Sequence, residues 1–441
     1  MRQRNQIPYI KIFLVTILLF TFLGQTALAD VSPGDVIDKS NFQKVQGIVP
    51  DLILDWIKKG DLVLNIDRLN FNPIEGFLPS VSENLKKNVG KYGVGKRGEL
   101  IDPKTGRFPS DIIGMPFPEV DEKDPNAGAK IVNNMRFIRQ SLGNINFDVQ
   151  TSWVGASGFE RSIVFKYYEF KYTANPGTKN VPNPDGLLRT NVLKIIHPYD
   201  LAGTAVMLWS YENPDREDQN FAYVPAIRRV RRTSPASRSD ALFGSDQCID
   251  DNGAYEGTTE AMDWKVIGTR EALFPFKNKD WLRIRANEDG SFTNFIDIKD
   301  QPALKYGYEV KGWNRAPWVP TNTIWVKRKV YLIEAKPRDP YYNYGRQIFW
   351  FDVETFLPVY KEIYDRANNY WKTIILIAAG MATPDGKLKY YDNTVSQVTY
   401  DSRRNHATVL RLDPPTGRCI WHATNVKVDD FTLTGFQKFC K

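Results

Sequence analysis

The chain has little of what most enzymes and metalloproteins are built from. Its 441 residues include three cysteines, three histidines and six methionines. There is no CxxC pair, and His197, His406 and His422 are scattered, so no ligand spacing for a metal exists and neither a metal nor a cofactor is expected. No Gly-x-Ser-x-Gly elbow accompanies a histidine. Cys419 and His422 lie three apart, and on a strand such residues face opposite sides, so a thiol–imidazole pair is not expected. The adjacent carboxylates Asp250-Asp251 and Asp429-Asp430 read as solvated turns rather than acid/base pairs. With no nucleophile, base or metal set, the chain reads as non-catalytic, and a hydrolase acting on lipid or glycan would need a constellation the sequence does not contain. No repeat of fixed period is visible, which argues against a propeller or solenoid.

The first residues bear on the compartment. Arg2, Arg4 and Lys11 form a positive region, Ile12 to Leu23 is apolar, and Ala27-Leu28-Ala29 is a small-x-small cleavage site. Residues 1–29 therefore read as a signal peptide for export, with the periplasm as destination. A membrane anchor would need about 20 apolar residues, and this run breaks at Gly24-Gln25-Thr26. The full-length net charge of +8 falls to +5 once the three cations of the leader are removed. That mild excess argues against a nucleic-acid binder and is compatible with peripheral contact to an anionic membrane. An oxidising compartment permits one disulfide. Cys419 and Cys440 bracket a loop of about 20 residues, where a bridge would stabilise by about 3 kcal/mol, while Cys248 could pair with either.

Residues 30–144 read as a helical and loop segment packing on a sheet. A helix is expected over 50–59, opened by Pro50 and stopped by Gly60. A polar helix over 80–91 has Ser80 and Glu83 at capping-box spacing. Proline and glycine make 92–124 an extended loop, and 125–142 carries a helical stripe of Ile131, Met135, Ile138 and Leu142. From 145 to 441 the character turns to β, in segments rich in Val, Ile, Tyr, Phe and Trp bounded by turn residues. The last expected strand covers 421–433. The pattern predicts one domain made of a large, mostly antiparallel sheet with helices segregated to one side.

Alternation puts large aromatics on both faces of several strands. Phe165 and Tyr167 share one face while Tyr168 and Phe170 take the other. Either both faces are covered or one lines an apolar cavity. The candidate lining residues are Phe165, Tyr167, Trp209, Trp264 and Trp281, with Trp325, Tyr331, Phe349 and Phe351; each could equally be ordinary core. The stretch Phe221 to Phe276 reads as two neighbouring strands joined by a rim loop. Its arginines Arg228, Arg229, Arg231 and Arg232 either pair with Asp246, Asp250 and Asp251 of that loop or offer a contact to an anion or a partner. Arg229 and Arg231 share one face and are the candidates for that contact.

Several segments resemble a bacterial family, domain of unknown function 1329, also called outer-membrane lipoprotein-sorting protein-like. They are Gly34 to Asn41, Gly114-Met115-Pro116-Phe117-Pro118, Asp124 to Lys130, Tyr223 to Arg232, Met262 to Gly268, Tyr331 to Ala335 and Phe349 to Pro358. One departure is Tyr255 to Glu260, where family members usually carry a Phe-Asn-Gly-type segment. The resemblance implies a mainly β (α+β) fold similar to the periplasmic lipoprotein carriers: a curved antiparallel half-barrel with helices covering its concave side. It further implies a carrier or chaperone for a lipid, an acyl chain or a lipoprotein, working with an outer-membrane or transporter protein partner. A structural adaptor between envelope proteins is the other role compatible with that fold.

Overall fold

The computed structural model describes residues 31–440 apart from 110, 179, 234–237, 295–300, 302 and 413–417. The expected signal peptide lies outside the described residues. The first helix, α1 (Asp51–Lys59), follows Pro50 and stops at Gly60, whose φ of 81° is the left-handed conformation glycine supplies at a helix C-terminus. It buries Ile53, Leu54, Trp56 and Ile57. In α2 (Pro79–Asn88) the helix starts one residue before the expected cap. Pro79 takes the first turn and Ser80 is already inside, so the Ser80–Glu83 box does not form. The long α3 (Ala127–Ser141) runs where the apolar stripe placed it. A fourth, α4 (Leu433–Cys440), follows the region read as the last strand.

Four short strands come first in the chain, and the first two belong to the main sheet. β1 (Val36–Ile37) pairs with β2 (Leu64–Asp67), and β3 (Gly93–Val94) with β4 (Leu100–Ile101) makes a separate hairpin inside the expected loop. An antiparallel meander then runs through β5 (Ile145–Gly155), β6 (Gly158–Lys171), β7 (Leu187–His197), β8 (Ala205–Tyr211), β9 (Gln219–Val224) and β10 (Arg229–Thr233). After a long connection come β11 (Met262–Phe276), β12 (Leu282–Ala286), β13 (Phe292–Asn294) and β14 (Ile324–Pro337). The last group is β15 (Gln347–Asp352), β16 (Pro358–Tyr364), β17 (Tyr370–Ala382), β18 (Lys389–Asp401), β19 (His406–Arg411) and β20 (Cys419–Trp421).

Pairing of β19 with β5 welds the two halves into one antiparallel ladder, ordered β10-β9-β8-β7-β6-β5-β19-β18-β17-β16-β15-β14-β11. β10 and β11, consecutive in sequence, are therefore at opposite ends of the ladder and not neighbours as expected. A second path from β17 to β5 runs through β12, β13 and β20. Two paths between the same strands roll the sheet around its concave side.

Side-chain parity sorts the aromatics. On β6 to β9 one set, including Phe170, Val192, Met207, Phe221 and Tyr223, faces a small core completed by Phe431 with Phe436 and Cys440 of α4. The opposite set faces α3 and the large core. Both faces of the sheet are thus covered, by different helices. A third cluster packs Tyr92, Leu100, Ile112 and Phe117 against Phe137 of α3, so the 92–124 segment lies against that helix. Asn134 holds it there, accepting from the Phe117 N–H at 2.8 Å and donating to its carbonyl at 2.7 Å.

Helix α3 sits on the sheet through Gly128, where a Cβ would come within 2.8 Å of the Trp264 backbone. Gly128→Ala is expected to push α3 off β11 and lower stability by about 1–3 kcal/mol, the usual range for overpacking. Chemical denaturation checks this, and an unchanged midpoint would contradict such close seating.

The expected Cys419–Cys440 disulfide is absent, and no cysteines are bridged among the described residues. Cys419 lies in the large core with its Sγ 3.0 Å from the Leu412 carbonyl, and Cys440 lies in the small core beneath α4. The sheet separates them.

Candidate ligand cavity

The connection between β10 and β11 turns into the concave side rather than running along the rim. Its carboxylates are buried, Asp246 and Asp250 at 1% exposure and Asp251 at 0%, so the reading of Asp250-Asp251 as a solvated turn does not hold. Asp250 binds the Arg238 guanidinium and the Tyr342 hydroxyl. Asp251 accepts from Lys361 Nζ at 2.8 Å, the Tyr344 hydroxyl at 2.7 Å and the Cys248 N–H at 3.0 Å. Asp246 accepts from Arg404 and Thr408 and meets His406 Nδ1 at 2.5 Å. Lys361 of β16 and His406 and Thr408 of β19 come from the floor of the half-barrel, Tyr342, Tyr344 and Arg404 from its loops, and Arg238 and Cys248 from the connection itself; the plug they hold fills the β15–β18 side. The arginines of β10 and of the turn before it take no part in it. Arg228, Arg229, Arg231 and Arg232 are exposed and form no ion pair among the described residues, so their expected pairing with these carboxylates is not what the fold uses.

The Asp246–His406 pair has a pH signature. Burial alone would lower the His406 pKa, but the hydrogen bond and charge of Asp246 outweigh it and raise the value above the ordinary one. A raised folded-state pKa gives a stabilisation that is complete below about pH 6.5 and is lost as pH rises through the folded value. The melting-temperature gap between the parent and His406→Asn is therefore expected to narrow as pH rises. A gap that does not change with pH would refute a charged His406.

Where the plug ends, a cavity of about 250 Å³ remains between α3 and the concave face of β5 to β9. Val149, Phe165, Leu193 and Leu208 form its floor, Met135 of α3 and Leu142 just past that helix its roof, and Phe243 and Tyr255 of the plug one side. One end is polar. Arg189 binds Glu169 at 3.1 Å and Glu256 at 2.8 Å, Lys171 Nζ donates to the Arg139 carbonyl at 2.7 Å, and Arg139 donates to the carbonyls of Gly253 and Tyr255. Burial lowers the Lys171 pKa against the pull of Glu169, and burial drives the Tyr167 hydroxyl pKa well up. Gln140 Oε1, Gln247 Nε2 and both amide atoms of Asn220 line this space buried and without a hydrogen-bond partner. Such orphaned polar atoms are uncommon in a folded interior. An open surface cleft of about 620 Å³ between Lys336 and Asn368 is charged and shallow, unlike a lipid site.

Of the nine aromatics singled out in the sequence, the cavity wall holds Phe165 and Tyr167. Trp209 has the opposite parity on β8: it packs on Phe221 and donates to the Phe431 carbonyl on the α4 side. Trp264 and Phe349 pack with Tyr255 in the filled part, with Phe351 next to Phe349. Tyr331 stacks on Phe356, Trp281 on Phe71, and Trp325 is fully buried in the large core. The polar residues of the wall were missed, yet Glu169 and Lys171 continue the parity of Phe165 and Tyr167. Charges on an otherwise aromatic inner face were the available signal.

The profile of the family described as "Protein of unknown function (DUF1329)" matches residues 36–437. The chain belongs to the DUF1329 family. Among solved structures, it is similar to a domain from Vibrio parahaemolyticus named for outer-membrane lipoprotein sorting, at 16% identity, over 71% of this chain and 100% of that one, with a TM-score of 0.46. A DUF1329 protein from Desulfovibrio piger is 16% identical over 70% of this chain and 98% of its own, TM-score 0.45. A LolA-superfamily protein from Nitrosomonas europaea is 11% identical over 67% and 96%, TM-score 0.38. No curated protein matches the chain. Among the described residues of this DUF1329 member, no helix is long and apolar enough to cross a membrane.

Proposed function

We propose that this protein is a non-catalytic carrier or chaperone that holds a hydrophobic ligand, a lipid or the acyl chain of a lipoprotein, inside the half-barrel and moves it through the periplasm. The observation that carries this reading is the cavity under α3. It combines an apolar floor with a polar end whose amide groups lack partners. That is the polarity profile of an amphiphile. Each buried methylene contributes about 0.8 kcal/mol, so eight to ten of them supply roughly 6–8 kcal/mol before the entropy of association is subtracted. The signal-like N-terminal sequence supports the compartment. A non-catalytic role is supported by the wall itself, where Arg139, Lys171 and Arg189 are each engaged in an ion pair or a backbone hydrogen bond.

The test is an organic extract of the purified mature protein analysed by mass spectrometry, with titration of a fluorescent fatty-acid probe. A co-purifying lipid, or a probe that saturates at one site, is the expected result. An extract free of lipid together with no probe binding would sink the carrier reading.

A further inference from the structure

Outside the cavity, one end of the β7–β10 sheet has a surface chemistry unlike the rest of the molecule. The β7–β8 turn carries Tyr199, 94% exposed, while Val224 at the end of β9 and Ile227 in the β9–β10 turn are 41% and 43% exposed. These are three of the nine large apolar side chains exposed among the described residues. The two turns touch: a Cβ on Gly203 would lie 3.2 Å from the Pro225 ring. They therefore form one tip.

Directly behind it, Arg228, Arg229, Arg231 and Arg232 are all exposed without an ion pair among the described residues, against one acidic residue, Asp200, in the tip. Arg228 adopts a φ of 50°, in the left-handed region that favours glycine. β10 has β9 as its ladder partner and is an edge strand, leaving the arginines open to a large flat partner.

We propose that this tip docks the protein on an anionic lipid bilayer. Tyr199, Val224 and Ile227 enter the headgroup region, and the arginines lie against the phosphates. An aromatic ring with a polar end suits the bilayer interface, and exposed arginine adds electrostatic attraction that falls off within a Debye length. The surface is distinct from the cavity and binds bilayer whether or not the cavity binds lipid.

The experiment is co-sedimentation of the mature protein with vesicles of phosphatidylethanolamine and phosphatidylglycerol, compared with pure phosphatidylcholine, at low and high salt. Binding to the anionic vesicles alone, weakened by salt, is expected. Arg229→Glu with Arg231→Glu should lower it at least about tenfold, since each arginine near such a surface is worth roughly fivefold. Tyr199→Ser with Ile227→Ser should also weaken it, and neither pair should alter the melting temperature or the fatty-acid probe titration. Equal sedimentation with both vesicle types, or no sedimentation with either, overturns the proposal. So does a double arginine variant that binds like the parent, or arginines found to bind an acidic protein while the protein ignores vesicles.

Discussion

Asp251→Ala is expected to destabilise the protein by about 3–5 kcal/mol, the range for removing one partner of a buried ion pair. Asp251 and Lys361 are both fully buried 2.8 Å apart, and the same carboxylate also accepts from the Tyr344 hydroxyl and the Cys248 N–H. Alanine leaves the Lys361 ammonium without a counter-charge in the centre of the sheet, and it frees the plug that Asp251 anchors. Asp251→Asn keeps the volume and should be destabilising by less. The pair also predicts acid sensitivity. Burial alone would raise the Asp251 pKa, but the charges of Lys361 and Lys372 outweigh it and hold the carboxyl below its ordinary value. Its stabilisation is present above about pH 4 and is lost as pH falls through the folded-state value. Denaturant midpoints of parent and variant at neutral and acidic pH measure both effects. A loss below about 1 kcal/mol at neutral pH would mean that the plug does not depend on this contact.

Leu208→Trp is expected to weaken binding of the fatty-acid probe by more than about tenfold, or about 1.4 kcal/mol, with little change in melting temperature. Leu208 is a buried side chain of β8 facing the cavity, so the larger ring has empty space to enter. Trp209→Phe, one position on and facing α4, should leave probe affinity unchanged. This pair separates occupancy of the cavity from general loosening of the strand. Probe affinity that survives Leu208→Trp would place the ligand elsewhere.

The β character of the chain after residue 145 and the run of α3 were legible because both are local. Val, Ile and aromatic alternation marks strands, and the stripe through Ile131, Met135 and Ile138 marks the helix. Strand order was not legible, since nothing near Arg232 or Met262 says that eleven strands lie between β10 and β11 in the ladder. The plug was hidden for a related reason. Asp250 and Asp251 look solvated until their counter-charges are seen: Arg238 of the same connection for Asp250, and for Asp251 Lys361, a residue of a β16 that is otherwise largely apolar. Parity placed Phe165 and Tyr167 on the cavity side, and applied to Met207, Leu208 and Trp209 it would have sent Trp209 to the other face. The Cys419–Cys440 spacing suited a loop closure, but sequence distance carries no information about which side of a sheet each thiol occupies.

The union of β5 with β19 sets the order in which the molecule can assemble. Trp153 lies opposite Thr408, and Asp251 finds Lys361, so contacts that define the centre join residues far apart along the chain. Folds dominated by such non-local pairing form slowly. A chain emerging N-terminus first has its β5–β10 meander early, yet β5 keeps an open flank until residues 406–411 arrive. The last strands thus act as a keystone. Until they are in place, the earlier ones keep an unpaired flank that is exposed to strand-on-strand association.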